Sequence, residues 1–202
     1  MLIQKFLKAK HWQLFILTLG IPFVFETAMS ITMFSTLYSD VFGDPTELFH
    51  LMKFLPVIML VYTAVFYGWF WSIAIGLQKQ VPVHIKMKTK KFKIWFFIPL
   101  VYLLLNAVFV IAVLNGYYLS LIDTDASSIS IMITIMLLLN FIAMFGIFYA
   151  MYFVAKTFKT VELQKEVRFA EFTGEFLMIW FYFVGIWFLQ PKINKMAKIN
   201  LQ

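Results

Sequence analysis

The chain has 202 residues, of which 62% are hydrophobic, 20% aromatic and 13% charged, with a formal charge of +7 and no cysteine. Soluble domains carry roughly 25% charged residues, so this composition excludes a soluble globular protein and predicts a single integral membrane domain over residues 1–202. The missing cysteines exclude disulfides and thiolate chemistry. The excess lysines fall in juxtamembrane loops, where topology and anionic lipid account for them and no nucleic-acid partner is needed.

In chain order, Lys5, Lys8 and Lys10 precede an apolar run that predicts a first span over Trp12–Ser35. That run is too long for the apolar part of a signal peptide and lacks a small-residue cleavage site. An acidic loop with Asp40, Asp44 and Glu47 leads to a second span over Leu51–Leu77. Next comes Gln78–Lys93, which carries Lys79, Lys86, Lys88, Lys90, Lys91 and Lys93 and no acid. Lysine-rich loops stay on the cytoplasmic side during insertion, so this basic surface is assigned to the cytoplasm.

The third span is predicted over Ile94–Leu114 and is followed by an Asn115-Gly116 turn and a loop with Asp123 and Asp125. The fourth, Ile129–Val154, runs into AKTFKTVELQKEVRF, where no breaker occurs before Gly174. One long helix projecting about three turns beyond the bilayer is expected there. The last apolar stretch, Phe176–Leu189, has 14 residues, the length of a re-entrant or interfacial segment. A crossing would also carry Lys192, Lys195 and Lys198 outside. A short, tilted fifth span is the alternative. The expected fold is therefore an all-α membrane protein with four transmembrane helices plus a C-terminal re-entrant, interfacial or short spanning segment. Both termini are expected in the cytoplasm of a multi-pass inner-membrane protein.

The ending GIWFLQPKIN (Gly185–Asn194), preceded by VELQKEVRFAEFTGEF, resembles the carboxy-terminal end of small multi-spanning membrane proteins of Bacteroidota type. The resemblance covers about the last 35 residues. Those relatives often have Pro-Ile-Gly where this chain has Phe183-Val184-Gly185, which leaves Gly185 alone to bend the segment. The resemblance implies a membrane architecture and supplies no activity.

The residues that could carry chemistry lie inside the spans. Glu26 falls near the middle of the first, where an acid costs a few kcal/mol even on lenient insertion scales. Thr18, Pro22, Glu26 and Ser30 are spaced by four and form one stripe, and Pro22 cannot donate to the Thr18 carbonyl. Asn106 and Asn140 lie at a similar depth, roughly 18–21 Å from the cytoplasmic ends, so a polar layer is expected. It either holds helix register or serves an ion, proton or ligand. Ala143, Gly146 and Ala150 make a small-residue stripe for close helix packing.

His11, His50 and His84 sit at span ends or in the loop and cannot pair across a haem. Asp123-Thr124-Asp125 reads as a solvated loop, so no metal is expected, and no catalytic motif or cofactor site is visible. Four spans without inverted repeats are few for alternating access. The expected function is non-enzymatic: an oligomeric helical assembly, read first as an ion-conducting pore or membrane-perturbing effector. A non-conducting accessory subunit of a larger membrane complex is the alternative. Expected partners are the lipid bilayer, further copies of the chain, and a cytoplasmic or membrane protein. Contacts between copies are expected on the Ala143–Gly146–Ala150 stripe or the Thr18–Ser30 face.

Overall fold

The computed structural model describes residues 2–38, 46–116 and 126–199, and the predicted acidic loops around Asp40 and Asp44 and around Asp123 and Asp125 lie outside them. Within hydrocarbon every backbone polar group must find a partner in the chain, and helices meet that demand without neighbours. The helices, in order, are α1 (Leu2–Lys8), α2 (His11–Phe15), α3 (Ile21–Tyr38), α4 (Thr46–Met52), α5 (Leu55–Gly76), α6 (Thr89–Leu114), α7 (Ala126–Leu163), α8 (Phe169–Trp180) and α9 (Tyr182–Ile199). Four stretches are long and apolar enough to cross a membrane: His11–Thr36, His50–Gln80, Thr89–Leu114 and Ile133–Leu163.

Prolines shape these spans. Between α2 and α3 the residues Ile16–Gly20 form a π turn, closed by the Ile21 N–H donating to the Ile16 carbonyl. Pro22 has no N–H for the Thr18 carbonyl, and the wider turn places the lost bond at a position where the ladder is already shifted. In α6, Pro99 likewise leaves the Trp95 carbonyl without its helical donor. That carbonyl faces Gly146 of α7, where a Cβ would lie 2.8 Å from it and 2.8 Å from Pro99 Cδ. Ala143, Gly146 and Ala150 are all buried. At Gly146 the small-residue stripe thus packs against α6 of the same chain.

Packing is concentrated at one end. Phe66, Trp69, Phe70 and Ile73 of α5 and Leu77 just after it form a core with Phe92 and Phe96 of α6, Phe153, Val154 and Phe158 of α7, Phe172 and Ile179 of α8, and Ile186 and Ile193 of α9. The amino-terminal α1 lies on α5 here: a Cβ on Gly76 would come 2.6 Å from Ile3 Cγ2, and one on Gly68 2.6 Å from the Phe6 ring. Toward the other end the outward faces of α3, α6 and α7 are bare, with Phe23, Val24, Ile31, Leu105, Leu138 and Phe141 exposed. Helices this apolar on their outward faces suit hydrocarbon as a solvent.

The expected long helix at the end of α7 forms and runs nine residues, about two and a half turns, past Val154. The helix stops at Leu163, and Gln164 takes a left-handed φ of 52°. Its side-chain amide satisfies the departing helix by donating to the Val161 carbonyl at 2.7 Å, and it also reaches the Gln80 carbonyl at 3.2 Å. A new helix then starts at Phe169, where Glu171 accepts from the Arg168 N–H at 2.8 Å. A glutamate three residues after a helix start is a capping arrangement, and it is the sequence signal for this break.

The bent pair α8–α9 turns through 120° at Phe181. Both of its ends meet Gln80: Gln164 just before α8 donates to the Gln80 carbonyl, and the Gln80 amide donates to the Met196 carbonyl at 3.2 Å. Its tip reaches into the bundle, with the Tyr182 ring 5.3 Å from Phe66 and the Trp180 ring 4.7 Å from Phe148. Phe66 lies ten residues from Gly76 on α5, or ~15 Å along the axis at 1.5 Å per residue. The pair therefore dips about halfway along the bundle and returns to the end it left.

This geometry sets a first expectation. The chain has no cysteine, so single Glu166→Cys and Lys195→Cys substitutions can be labelled with a membrane-impermeant maleimide in sealed vesicles. Both should react from the side on which Lys90→Cys reacts. Labelling of the two from opposite sides would make the pair a fifth crossing.

Candidate functional site

The sequence-predicted polar layer divides into two separate places. Thr18, Pro22, Glu26 and Ser30 line a groove of about 620 Å³ between α3 and α5, together with Phe25, Met59 and Tyr62. Thr18 is buried and donates its hydroxyl to the Leu14 carbonyl at 2.7 Å, whereas Glu26 and Ser30 are exposed. Four-residue spacing advances about 40° per step around a helix, so a stripe that begins against the core drifts outward. Among the described residues, the Glu26 carboxyl has no hydrogen-bond or ion-pair partner.

The asparagines sit elsewhere, on α6 and α7. Asn140 Nδ2 donates to the Tyr102 hydroxyl at 3.3 Å, and Asn106 Nδ2 donates to the Tyr102 carbonyl at 2.8 Å. Asn140 and Tyr102 border a smaller cavity of about 230 Å³ with Pro99 and Ala143. Among the described residues no hydrogen bond joins Glu26 to either asparagine. Equal depth along parallel helices gave the expectation of one layer. Their helices have different neighbours, since α3 packs on α5 and α6 packs on α7, and this separates them.

The packed end holds polar side chains that sequence reasoning did not single out. Gln190 is fully buried, accepts from Trp69 Nε1–H at 2.7 Å, and donates to the carbonyls of Phe6 at 3.0 Å and Ala9 at 2.9 Å. Asn194, one turn on, also donates to Ala9 at 3.0 Å. These two residues of the QPKIN sequence hold carbonyls at the break between α1 and α2, where helix bonding is interrupted. Beside them Lys159 Nζ lies 2.8 Å from both Glu162 and Glu175, and Lys192 Nζ lies 2.8 Å from Glu162. Glu175 is buried, so its charge is compensated where water cannot do so. The sequence signal was available: a glutamine and an asparagine four apart at the end of an apolar run.

Of the predicted basic surface, Lys86, Lys88 and Lys91 border a cavity of about 540 Å³ with Tyr149, Tyr152 and Lys156. Lys90 and Lys93 lie outside it, and Lys93 Nζ stands 5.9 Å from the Trp71 ring centre. No group of three or more histidine and acidic side chains able to hold a metal occurs among the described residues.

Four helices suited to spanning a membrane, packed at one end around a bent helix pair, define a polytopic helical membrane protein. Comparison with known proteins gave no matching family model, no similar curated protein and no similar solved structure.

Proposed function

We propose that the protein is a non-enzymatic subunit of a homo-oligomeric membrane assembly, in which copies meet across the α3–α5 groove and Glu26 lines an ion-conducting path. The observation that carries this reading is the position of Glu26: a carboxyl within the first span, in a groove lined by Thr18 and Ser30, with no partner among the described residues. An ionisable side chain at that depth costs several kcal/mol against lipid and favours a protein or water neighbour. Repetition about a symmetry axis would gather one carboxyl per copy into a ring, the arrangement used by cation pathways. Gly146 is engaged with α6, so the Thr18–Ser30 face is the one of the two expected contact faces left open. The buried carboxylate Glu175 and its neighbour Glu162 are held in ion pairs, which supports a non-enzymatic role.

The lysines of the amino terminus, the central loop and the last helix share one end of the bundle, which supports placing that end and both termini in the cytoplasm. A second reading is an accessory subunit of a larger complex. It is favoured by the apolar walls of the groove, Leu19, Phe25, Leu55, Ile58 and Met59, which suit a foreign apolar helix.

The two readings separate in nanodiscs and liposomes. The pore reading expects a native mass of several chains, together with a cation flux that Glu26→Gln strongly reduces while leaving that mass unchanged. A monomer under all conditions overturns the homo-oligomer. A stable complex with no flux transfers the groove to the accessory role.

A further inference from the structure

The cavity beside the central loop has the composition of an anion site. Lys86, Lys88, Lys91 and Lys156 border it, against the single carboxylate of Glu166. That acid lies 4.0 Å from Lys156, and its side chain is 74% exposed, so it neutralises little of the charge. The cavity also lies at the start of α6, which has no acidic residue in its first turn and no side-chain cap. A helix amino terminus carries partial positive charge, so lysines placed around it add like charge to like. An anion in the cavity would balance both.

The site is held in place before any ligand arrives. Ile85 is buried and its N–H donates to the Pro82 carbonyl at 2.9 Å, while the Thr89 N–H donates to the Met87 carbonyl at 2.9 Å. Gln80, at the head of the loop, is fixed by Gln164 and by its own bond to Met196. Lys91 Nζ lies 5.5 Å from the Tyr149 ring centre, so its ammonium rests over an aromatic face. A loop already ordered loses less entropy on binding.

Just beyond this cavity the surface becomes apolar. On α6, one turn past Lys91, the half-buried Trp95 ring lies 6.2 Å from Tyr149, and one turn before Tyr149 on α7, Phe145 is exposed. A phosphate in the cavity would therefore have an apolar helix surface immediately below it. Basic pockets between membrane helices, with tyrosines at headgroup level, suit phospholipid headgroups.

We infer that this cavity binds the phosphate headgroup of an anionic phospholipid, with Lys88 and Lys91 contacting the phosphate and the acyl chains lying along α6 and α7. The inference is independent of the pore reading, since the cavity and the Glu26 groove share no residue.

Native mass spectrometry of the full-length protein with dioleoyl phosphatidylglycerol tests it, with dioleoyl phosphatidylcholine and inorganic phosphate as comparators. The wild type should retain a phosphatidylglycerol adduct in preference to phosphatidylcholine. Lys88→Gln with Lys91→Gln should weaken retention by about ten-fold or more, at roughly a factor of five per ammonium. Lys90→Gln with Lys93→Gln removes the same charge from the same helix end but outside the cavity, and should weaken it by less than about three-fold. Both pairs replace exposed ammoniums, and matching thermal melts would verify that both proteins fold. Equal retention of the two lipids, or equal loss in the two double variants, overturns the site. Displacement of the lipid by millimolar inorganic phosphate would assign the cavity to a soluble phosphate and overturn the lipid source.

Discussion

Replacing Gln190 by leucine is expected to lower stability by about 2–6 kcal/mol and to release α1 from the bundle. The side chain is fully buried and makes three hydrogen bonds, to Trp69 Nε1–H and to the carbonyls of Phe6 and Ala9. The losses are unequal. Ala9 keeps the Asn194 amide and the Phe6 carbonyl keeps the Ala9 N–H, whereas among the described residues the Trp69 indole has only Gln190. A buried donor left without an acceptor costs about 1–3 kcal/mol, and each of the other two bonds contributes about 0.5–1.5 kcal/mol. Thermal melts in detergent would give the total. Limited proteolysis should cut near Ala9 in the variant before the rest of the chain unfolds. Trp69→Phe removes the orphaned donor, so the double variant should recover part of the loss, and a cycle with no coupling would mean that the indole contact is not the source. A Gln190→Leu protein that melts with the wild type would refute the anchoring role altogether.

The four spans were legible because each is a run long enough to cross hydrocarbon. The 14 residues of Phe176–Leu189 were expected to form a re-entrant or interfacial segment or a short fifth span, and the chain forms a bent helix pair that turns at Phe181. Depth along a helix could be counted from the sequence, which is why Glu26, Asn106 and Asn140 were expected to share a layer. Which helices become neighbours could not, because α3 packs on α5 whereas α6 packs on α7. That is why Glu26 faces the α3–α5 groove while Asn140 meets Tyr102. The left-handed turn at Gln164 went unseen for a different reason. Gln164 is an ordinary helix former, and it adopts a positive φ because tertiary contact with Gln80 and its own reach to Val161 compensate the left-handed backbone. The function of Gln190 was hidden in the same way, since its partners lie more than a hundred residues away in sequence.

These long-range bonds also explain where the fold is firm. The amino terminus, the central loop and the last helix are tied together at one end by Gln80, Gln190 and Asn194, and the aromatic core sits at the same end. At the other end the helices carry few buried side chains. Local opening concentrates where buried contacts are sparse, so the Glu26 groove is bordered by the more easily displaced helix, α3. A groove wall that can shift suits a surface on which another helix docks.

Gly185→Ala is expected to destabilise the protein by about 3 kcal/mol or more and to open the bent pair, since the overlap it creates is larger than usual overpacking. A Cβ at this position would overlap both the carbonyl oxygen and the carbonyl carbon of Met178, far inside van der Waals contact. The obstacle is backbone, so no rotamer change relieves it. The tight turn that creates the contact is itself bonded: Phe181 N–H donates to Leu177, and both Val184 and Gly185 N–H donate to Phe181. To admit a methyl group, α8 and α9 must separate, which would pull Tyr182 from Phe66 and Trp69 and uncover Ile179 and Ile186. A control lies in the same hairpin. A Cβ on Gly174, within α8, meets nothing within 4 Å, so Gly174→Ala should stabilise by about 0.5–1 kcal/mol through helix propensity alone. Melting curves of the two variants should therefore move in opposite directions from the wild type, and a Gly185→Ala protein as stable as Gly174→Ala would show that α8 and α9 do not cross this closely.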